Sequence, residues 1–145
     1  GIKLSPTATG GSASLGRIRK SRFNNQDKSI IFGPNTADYP GATDVYIEEN
    51  RLEAGVTKYV AQDAAVSGGP MKNQNVWFVG NYFGAKPTGV YIDVDSAGTG
   101  DTEPLVFMGN FFANAAFTDA DDIDYIAANT WFVGNYDKAG LITAI

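Results

Sequence analysis

Apolar and polar residues alternate along this chain in short bursts, and the bursts repeat. Val76-Trp77-Phe78-Val79-Gly80-Asn81-Tyr82-Phe83 returns as Leu105-Val106-Phe107-Met108-Gly109-Asn110-Phe111-Phe112, and again as Thr130-Trp131-Phe132-Val133-Gly134-Asn135-Tyr136. Upstream, Val45-Tyr46-Ile47-Glu48-Glu49-Asn50-Arg51-Leu52 keeps the pattern. Gly16-Arg17-Ile18-Arg19-Lys20-Ser21-Arg22-Phe23 keeps it too, with Ser21 in the asparagine place. From Ser21 the marked positions step by 29, 31, 29 and 25 residues. Such a period signals a repeat architecture, in which each unit buries its apolar face only by stacking on the next.

Each period has one plan. A strand meets a Gly-Asn corner, a shorter strand follows, and a second apolar run comes after a Gly or Ala. Those runs are Ser29–Phe32, Lys58–Ala61, Gly89–Ile92 and Gly140–Thr143, while the copy between Ala115 and Ala120 is weak. Gly and Asn in mid-motif, flanked by β-branched and aromatic residues, oppose a helix. A propeller blade needs about 40–50 residues, more than these periods supply. Periods of 25–31 residues with two or three short strands suit one coil of a parallel β-helix. Asn50, Asn81, Asn110 and Asn135 at a fixed corner fit that reading, because Asn tolerates the left-handed conformation and stacked amides hydrogen-bond from coil to coil.

The pattern apolar-x-apolar-x-x-Asn-x-apolar, as in Val45-x-Ile47-x-x-Asn50-x-Leu52 and Val76-x-Phe78-x-x-Asn81-x-Phe83, resembles the right-handed parallel β-helix repeat of pectate-lyase-like proteins and phage tailspikes. The resemblance covers residues 16–145. It implies an all-β, right-handed parallel β-helix of about five coils. It implies little about activity, because such folds carry lyases, hydrolases, epimerases, adhesins and structural shafts. Residues 1–15, small and Gly/Ser/Thr-rich, are expected as an extended N-terminal arm, either a flexible lead-in or a strand paired with a neighbouring subunit.

Strand alternation assigns the faces. Val45, Ile47, Leu52, Val76, Phe78, Phe83, Leu105, Phe107, Phe112 and Phe132 point inward in columns, with Asp137 where a further Phe is expected. The outward positions change character along the chain. They begin as Arg17, Arg19 and Arg22, pass through Tyr46, Glu48 and Arg51, and become Trp77, Val79, Tyr82, Val106, Met108, Phe111, Trp131, Val133 and Tyr136. Strands apolar on both faces are usually covered on both. Three covers are candidates: another subunit, a loop of the same chain, or a glycan stacked on Trp77 and Trp131. Neither terminus carries an amphipathic capping helix, so subunits are also expected to associate through uncapped coil ends, and heterologous contacts that do not close give filaments.

Composition narrows the chemistry. The 145 residues carry a net charge of −5 with no basic run, which argues against nucleic acid as a partner. There is no Cys and no His, which removes disulfides, thiolate metal sites and every His-assisted nucleophile. No apolar run is long enough to span a membrane. A start at Gly1 rather than Met suggests a processed, excised or tagged chain, and a removed signal peptide suits a Cys-free extracellular or virion-surface protein.

Asp93, Asp95 and Asp101 in the loop from Asp93 to Glu103 partly match a calcium loop, yet Ala97 stands at its fifth position and Glu103 falls one place early. No cofactor is otherwise implied. The acidic run Asp119, Asp121, Asp122 and Asp124 reads as a solvated turn or a hard-cation site. Glu48, Glu49, Asp93 and Asp95 are the acids available for a hydrolase or lyase, and Arg17, Arg19, Arg22 and Arg51 the cations, but no catalytic motif matches. The expectation is a non-catalytic, self-assembling structural or adhesive module. The alternatives are a piece of a trimeric spike that binds or cleaves a surface polysaccharide, and a polysaccharide lyase or hydrolase.

Overall fold

The computed structural model describes residues 1–4, 13–14, 16–32, 42–54, 57–62, 74–85, 91–93, 103–113, 117, 123–124 and 130–143. These residues are all-β, without a helix among them. The chain opens with β1 (Ile2–Leu4) and β2 (Ala13–Ser14). The first repeat gives β3 (Arg17–Arg19), β4 (Arg22–Asn24) and β5 (Lys28–Phe32), and the second gives β6 (Ala42–Glu48), β7 (Arg51–Glu53) and β8 (Lys58–Gln62). The third gives β9 (Gln74–Val79), β10 (Tyr82–Phe83) and β11 (Ile92–Asp93), and the fourth β12 (Glu103–Met108), β13 (Phe111–Phe112) and β14 (Ile123–Asp124). The last gives β15 (Thr130–Val133), β16 (Tyr136–Asp137) and β17 (Gly140–Leu141).

The strands form three sheets, each ordered as the repeats are ordered in sequence. The first sheet joins β15, β12, β9 and β6, with both β2 and β3 on β6. The second runs β17-β16-β13-β10-β7-β4, and the third β14-β11-β8-β5-β1. Among the described residues all pairings are parallel except β16 with β17. Register is kept by like residues: Ile18, Ile47, Phe78, Phe107 and Phe132 are successive partners, as are Phe23, Leu52, Phe83 and Phe112.

These columns are the core. Val45, Ile47, Leu52, Val76, Phe78, Phe83, Leu105, Phe107 and Phe112 are buried, as expected from the alternation, while Phe132 is only partly buried; Val60 and Ile92 of the third sheet join the core. Phe78 and Phe107 stack with centroids 4.8 Å apart and planes 3° from parallel, and Phe83 and Phe112 do the same at 4.9 Å and 5°. That separation is the spacing of paired strands, so the rings simply inherit the backbone repeat. Tyr59 and Tyr91 add a third stack at 5.9 Å, and the Tyr59 hydroxyl donates to Ala85 O at 2.8 Å.

Four sequence expectations change here. First, the left-handed corner residue is the one before the asparagine: Lys20, Glu49, Gly80, Gly109 and Gly134 have φ of 51°, 53°, 62°, 62° and 61°. Asn is kept for its amide, not its backbone freedom. Second, the run Gly140–Thr143 does not continue the third sheet; β17 turns back antiparallel onto β16. Third, the third strand of the fourth repeat is Ile123–Asp124, downstream of the 115–120 stretch. Fourth, within 1–15, β1 pairs with this chain's own β5 and β2 with its own β6, so both belong to its sheets rather than a neighbour's.

Gly109 has a positive φ and nothing within 4 Å of the position a Cβ would take, so its requirement is purely conformational. Gly109→Ala should therefore lower stability by about 1–2 kcal/mol, the left-handed penalty of an L-residue. Gly109→Asn should lose less, since Asn tolerates that conformation. Urea denaturation of the two variants checks the ranking.

Candidate functional site

The corner asparagines form a continuous buried ladder. Asn50, Asn81, Asn110 and Asn135 are 2% exposed or less. Asn81 Oδ1 accepts from the backbone N–H of Asn50 at 3.0 Å and from Asn50 Nδ2 at 3.1 Å. Asn110 Oδ1 accepts in the same way from Asn81, and Asn135 Oδ1 from Asn110. Each Nδ2 also donates to the carbonyl three residues before the preceding rung: Asn50 to Ile18, Asn81 to Ile47, Asn110 to Phe78 and Asn135 to Phe107, at 2.7–2.9 Å. At the first rung the Ser21 N–H donates to Asn50 Oδ1 at 3.0 Å, while the Ser21 hydroxyl donates to Arg19 O in its own repeat. The ladder thus ends at a serine.

The outward columns carry the other predicted residues. In the first sheet Tyr46, Trp77, Val106 and Trp131 are successive partners. The guanidinium of Arg17 lies 5.3 Å from the Tyr46 ring centroid, and Tyr46 stacks on Trp77 at 5.9 Å with planes 19° apart. Glu48, Val79, Met108 and Val133 form a second column in the same sheet. In the second sheet Arg51 lies 4.5 Å over Tyr82, which stacks on Phe111 at 5.6 Å.

Exposure splits this face. Val106, expected outside, is fully buried, lying in register between Trp77 and Trp131. Trp77, Val79, Tyr82 and Phe111 are half-buried. Met108, Trp131, Val133 and Tyr136 are exposed, Trp131 to 61%, and Leu141 of β17 joins them. The apolar surface is therefore concentrated in the last repeat. The sequence reading missed Leu141 because it placed that residue in the third sheet.

The first two repeats present charge instead. Arg17 pairs with Glu48 at 3.4 Å, and Arg19 and Lys20 with Glu49 at 3.8 and 3.5 Å. These pairs are largely solvated and contribute little to stability. Glu53 is better held, with Arg51 Nε 2.7 Å from Oε1 and Arg22 Nη2 2.8 Å from Oε2. The Arg51 hydrogen bond above all, and then the bond and charge from Arg22, keep the Glu53 carboxyl below its ordinary range against partial desolvation.

One polar cluster went unnoticed in the sequence. Asp44 and Asn75 both adopt positive φ of 54° at matching places in β6 and β9. Asn75 Nδ2 donates to Asp44 Oδ1, and Trp77 Nε1 donates to Asn75 Oδ1 at 2.6 Å. The signal was available as an Asp or Asn two residues before each outward aromatic, Tyr46 and Trp77.

Of the calcium-loop candidates, Asp95 and Asp101 lie outside the described residues, and Asp93 pairs through its backbone with Ala61 and Asp124. Of the acidic run, Asp119, Asp121 and Asp122 also lie outside them. Among the described residues no three His, Cys, Asp or Glu side chains come together as metal ligands, and no helix is long and apolar enough to cross a membrane. No family model, curated protein or solved structure matches the chain.

Two predictions follow from this geometry. Asn110→Ala removes four hydrogen bonds and takes the acceptor from the buried Asn81 N–H. At roughly 1 kcal/mol net per bond the loss is about 3–4 kcal/mol, measured by urea denaturation, whereas Ser21→Ala at the ladder's end should stay within about 0.5 kcal/mol. For Glu53 the folded value lies below the unfolded one, so its contribution is present above the unfolded pKa and fades as pH falls through the folded one. An NMR titration of the Glu53 carboxyl should show its midpoint rising in Arg51→Ala.

Proposed function

We propose that this chain is a right-handed parallel β-helix of about five coils that works as a non-catalytic, extracellular, self-assembling structural module. Subunits associate through coil ends and the outward apolar face. The observation that carries the reading is the exposed cluster formed by Met108 of the fourth repeat with Trp131, Val133, Tyr136 and Leu141 of the last. Aromatic and Met enrichment is the signature of a protein interface core, and a contiguous apolar patch in a soluble protein marks a contact surface. β15 adds a backbone reason. It is the last strand of the first sheet, with exposed Trp131 and Val133. Edge strands of this kind take up strands from other chains.

Negative-stain electron microscopy, with the mass in solution measured alongside, tests the proposal. Fibres or concentration-dependent oligomers are expected, and Trp131→Ser should weaken association at least about tenfold, as an interface aromatic does. A chain that stays monomeric at high concentration sinks the reading. Discrete trimers would instead favour a spike.

A second reading rests on the Tyr46–Trp77 pair. Two stacked rings beside the hydrogen-bonded Asp44 and Asn75, with Arg17 over Tyr46 and paired with Glu48, combine aromatic and polar groups of the kind that bind a glycan. Tryptophan fluorescence titration with acidic and neutral oligosaccharides, with and without calcium, addresses it. Binding that Trp77→Ala abolishes and Trp131→Ala retains supports the glycan reading; no response to any sugar removes it.

A further inference from the structure

Among the described residues, one strand pairing is antiparallel, and it lies at the C-terminal edge of the second sheet. β17 lies on β16 with Tyr136 opposite Leu141 and Asp137 opposite Gly140, and the Ile142 N–H donates to Asn135 O at 2.9 Å. The turn that reverses the chain is built on Asp137. In the inward column of that sheet Phe23, Leu52, Phe83 and Phe112 are followed by this carboxylate, which is also buried. Oδ1 accepts from the N–H groups of Ala139 at 2.6 Å and Gly140 at 2.9 Å, and Oδ2 accepts from the Phe117 N–H at 2.9 Å. A Phe at this place would extend the ring stack and offer those three donors nothing.

Resting on the self-association reading above, we infer that Asp137 and β17 form an edge guard that keeps β16 from pairing in parallel with a strand of a second copy. The strand excluded is the one at the opposite end of the same sheet, β4, whose pairing would otherwise continue the register from one molecule to the next. A parallel sheet is self-templating because its edge repeats the pattern that its other edge completes. β17 breaks that match by reversing direction, and it occupies the backbone groups of β16 that a copy would need. End-to-end contact at this side is thereby left to the end strands of the other two sheets, β14 and β15, the latter with exposed Trp131 and Val133.

Two full-length variants open the guard in different ways. Asp137→Asn turns one of the two accepting oxygens into a donor. Gly140→Val forces a β-branched residue into φ 135°, where only glycine is comfortable, and it spares the stack because nothing lies within 4 Å of its Cβ position. Hydrogen exchange at the Ile142 amide reports whether the hairpin has opened, and sedimentation velocity over a concentration series reports association. Both variants should lose Ile142 protection and associate about tenfold more tightly than the parent chain, equivalent to roughly 1.4 kcal/mol and in line with one exposed strand edge. If the parent associates and the opened variants associate no more tightly, the guard is overturned while self-assembly stands. Should the parent be monomeric and the variants associate, the guard stands and assembly by the unmodified chain falls. If neither associates after the hairpin opens, both ideas are lost.

Discussion

A buried primary amide has two N–H groups and a carbonyl to satisfy, and here those needs set the register of the strands around it. Asn81 reaches back to the Asn50 backbone, the Asn50 amide and the Ile47 carbonyl, and forward to Asn110. Slipping either flanking strand by one residue would strand these groups in an apolar interior and turn every core side chain to the opposite face. The ladder therefore acts as a ruler. Hydrophobic burial supplies the driving force, but it is not directional and does not by itself choose among registers.

Once register is fixed, like residues must stack on like. Phe78 meets Phe107 and Phe83 meets Phe112 with nearly parallel planes and centroids 4.8–4.9 Å apart, within the range of favourable aromatic stacking. The strands set that spacing, and edge-on contacts across the core, such as Tyr91 against Phe112 at 69°, add the other favoured arrangement in the perpendicular direction. Ladder steps of 31, 29 and 25 residues leave the columns undisturbed, because the differences in length fall between the strands that pair. The same column rule works on the outside. There Arg17 leads into Tyr46 and Trp77, and Arg51 into Tyr82 and Phe111, so cation–π contacts join the charged first repeats to the aromatic later ones.

Much of this was readable from the chain because the asparagine ladder is written in letters that recur. The inward columns and the first two strands of each repeat follow directly from alternation around Gly-Asn. The left-handed residue was misassigned since Gly and Asn are adjacent and either can take that conformation; only the amide's four hydrogen bonds show that Asn serves a different purpose. β17 was misread for a related reason. Gly140-Leu141-Ile142 has the composition of a third strand, and pattern alone carries no information on strand direction. The burial of Val106 and the exposure of Trp131 share one column and one spacing. What separates them is position along the stack, which periodicity does not encode.

Two places in the repeat array are marked by one polar residue standing where the repeating residue belongs. Ser21 replaces the asparagine at the first rung: its N–H still serves Asn50, but its hydroxyl turns to Arg19 in its own repeat instead of reaching to another. Asp137 replaces the phenylalanine at the last, and its carboxylate gathers three N–H groups from Phe117, Ala139 and Gly140. The Ser21 hydroxyl bonds within its own repeat, whereas the Asp137 carboxylate bonds both to the turn that follows it and back to Phe117 of the preceding repeat. In a parallel array, where every repeat is a fitting surface for the next, continuation is the default and stopping needs a specific device. The deviations from the repeat are thus as informative as the repeat itself. They mark where a like-on-like column is interrupted, and at those places the side-chain chemistry changes from matching the same residue in the next repeat to gathering local polar groups.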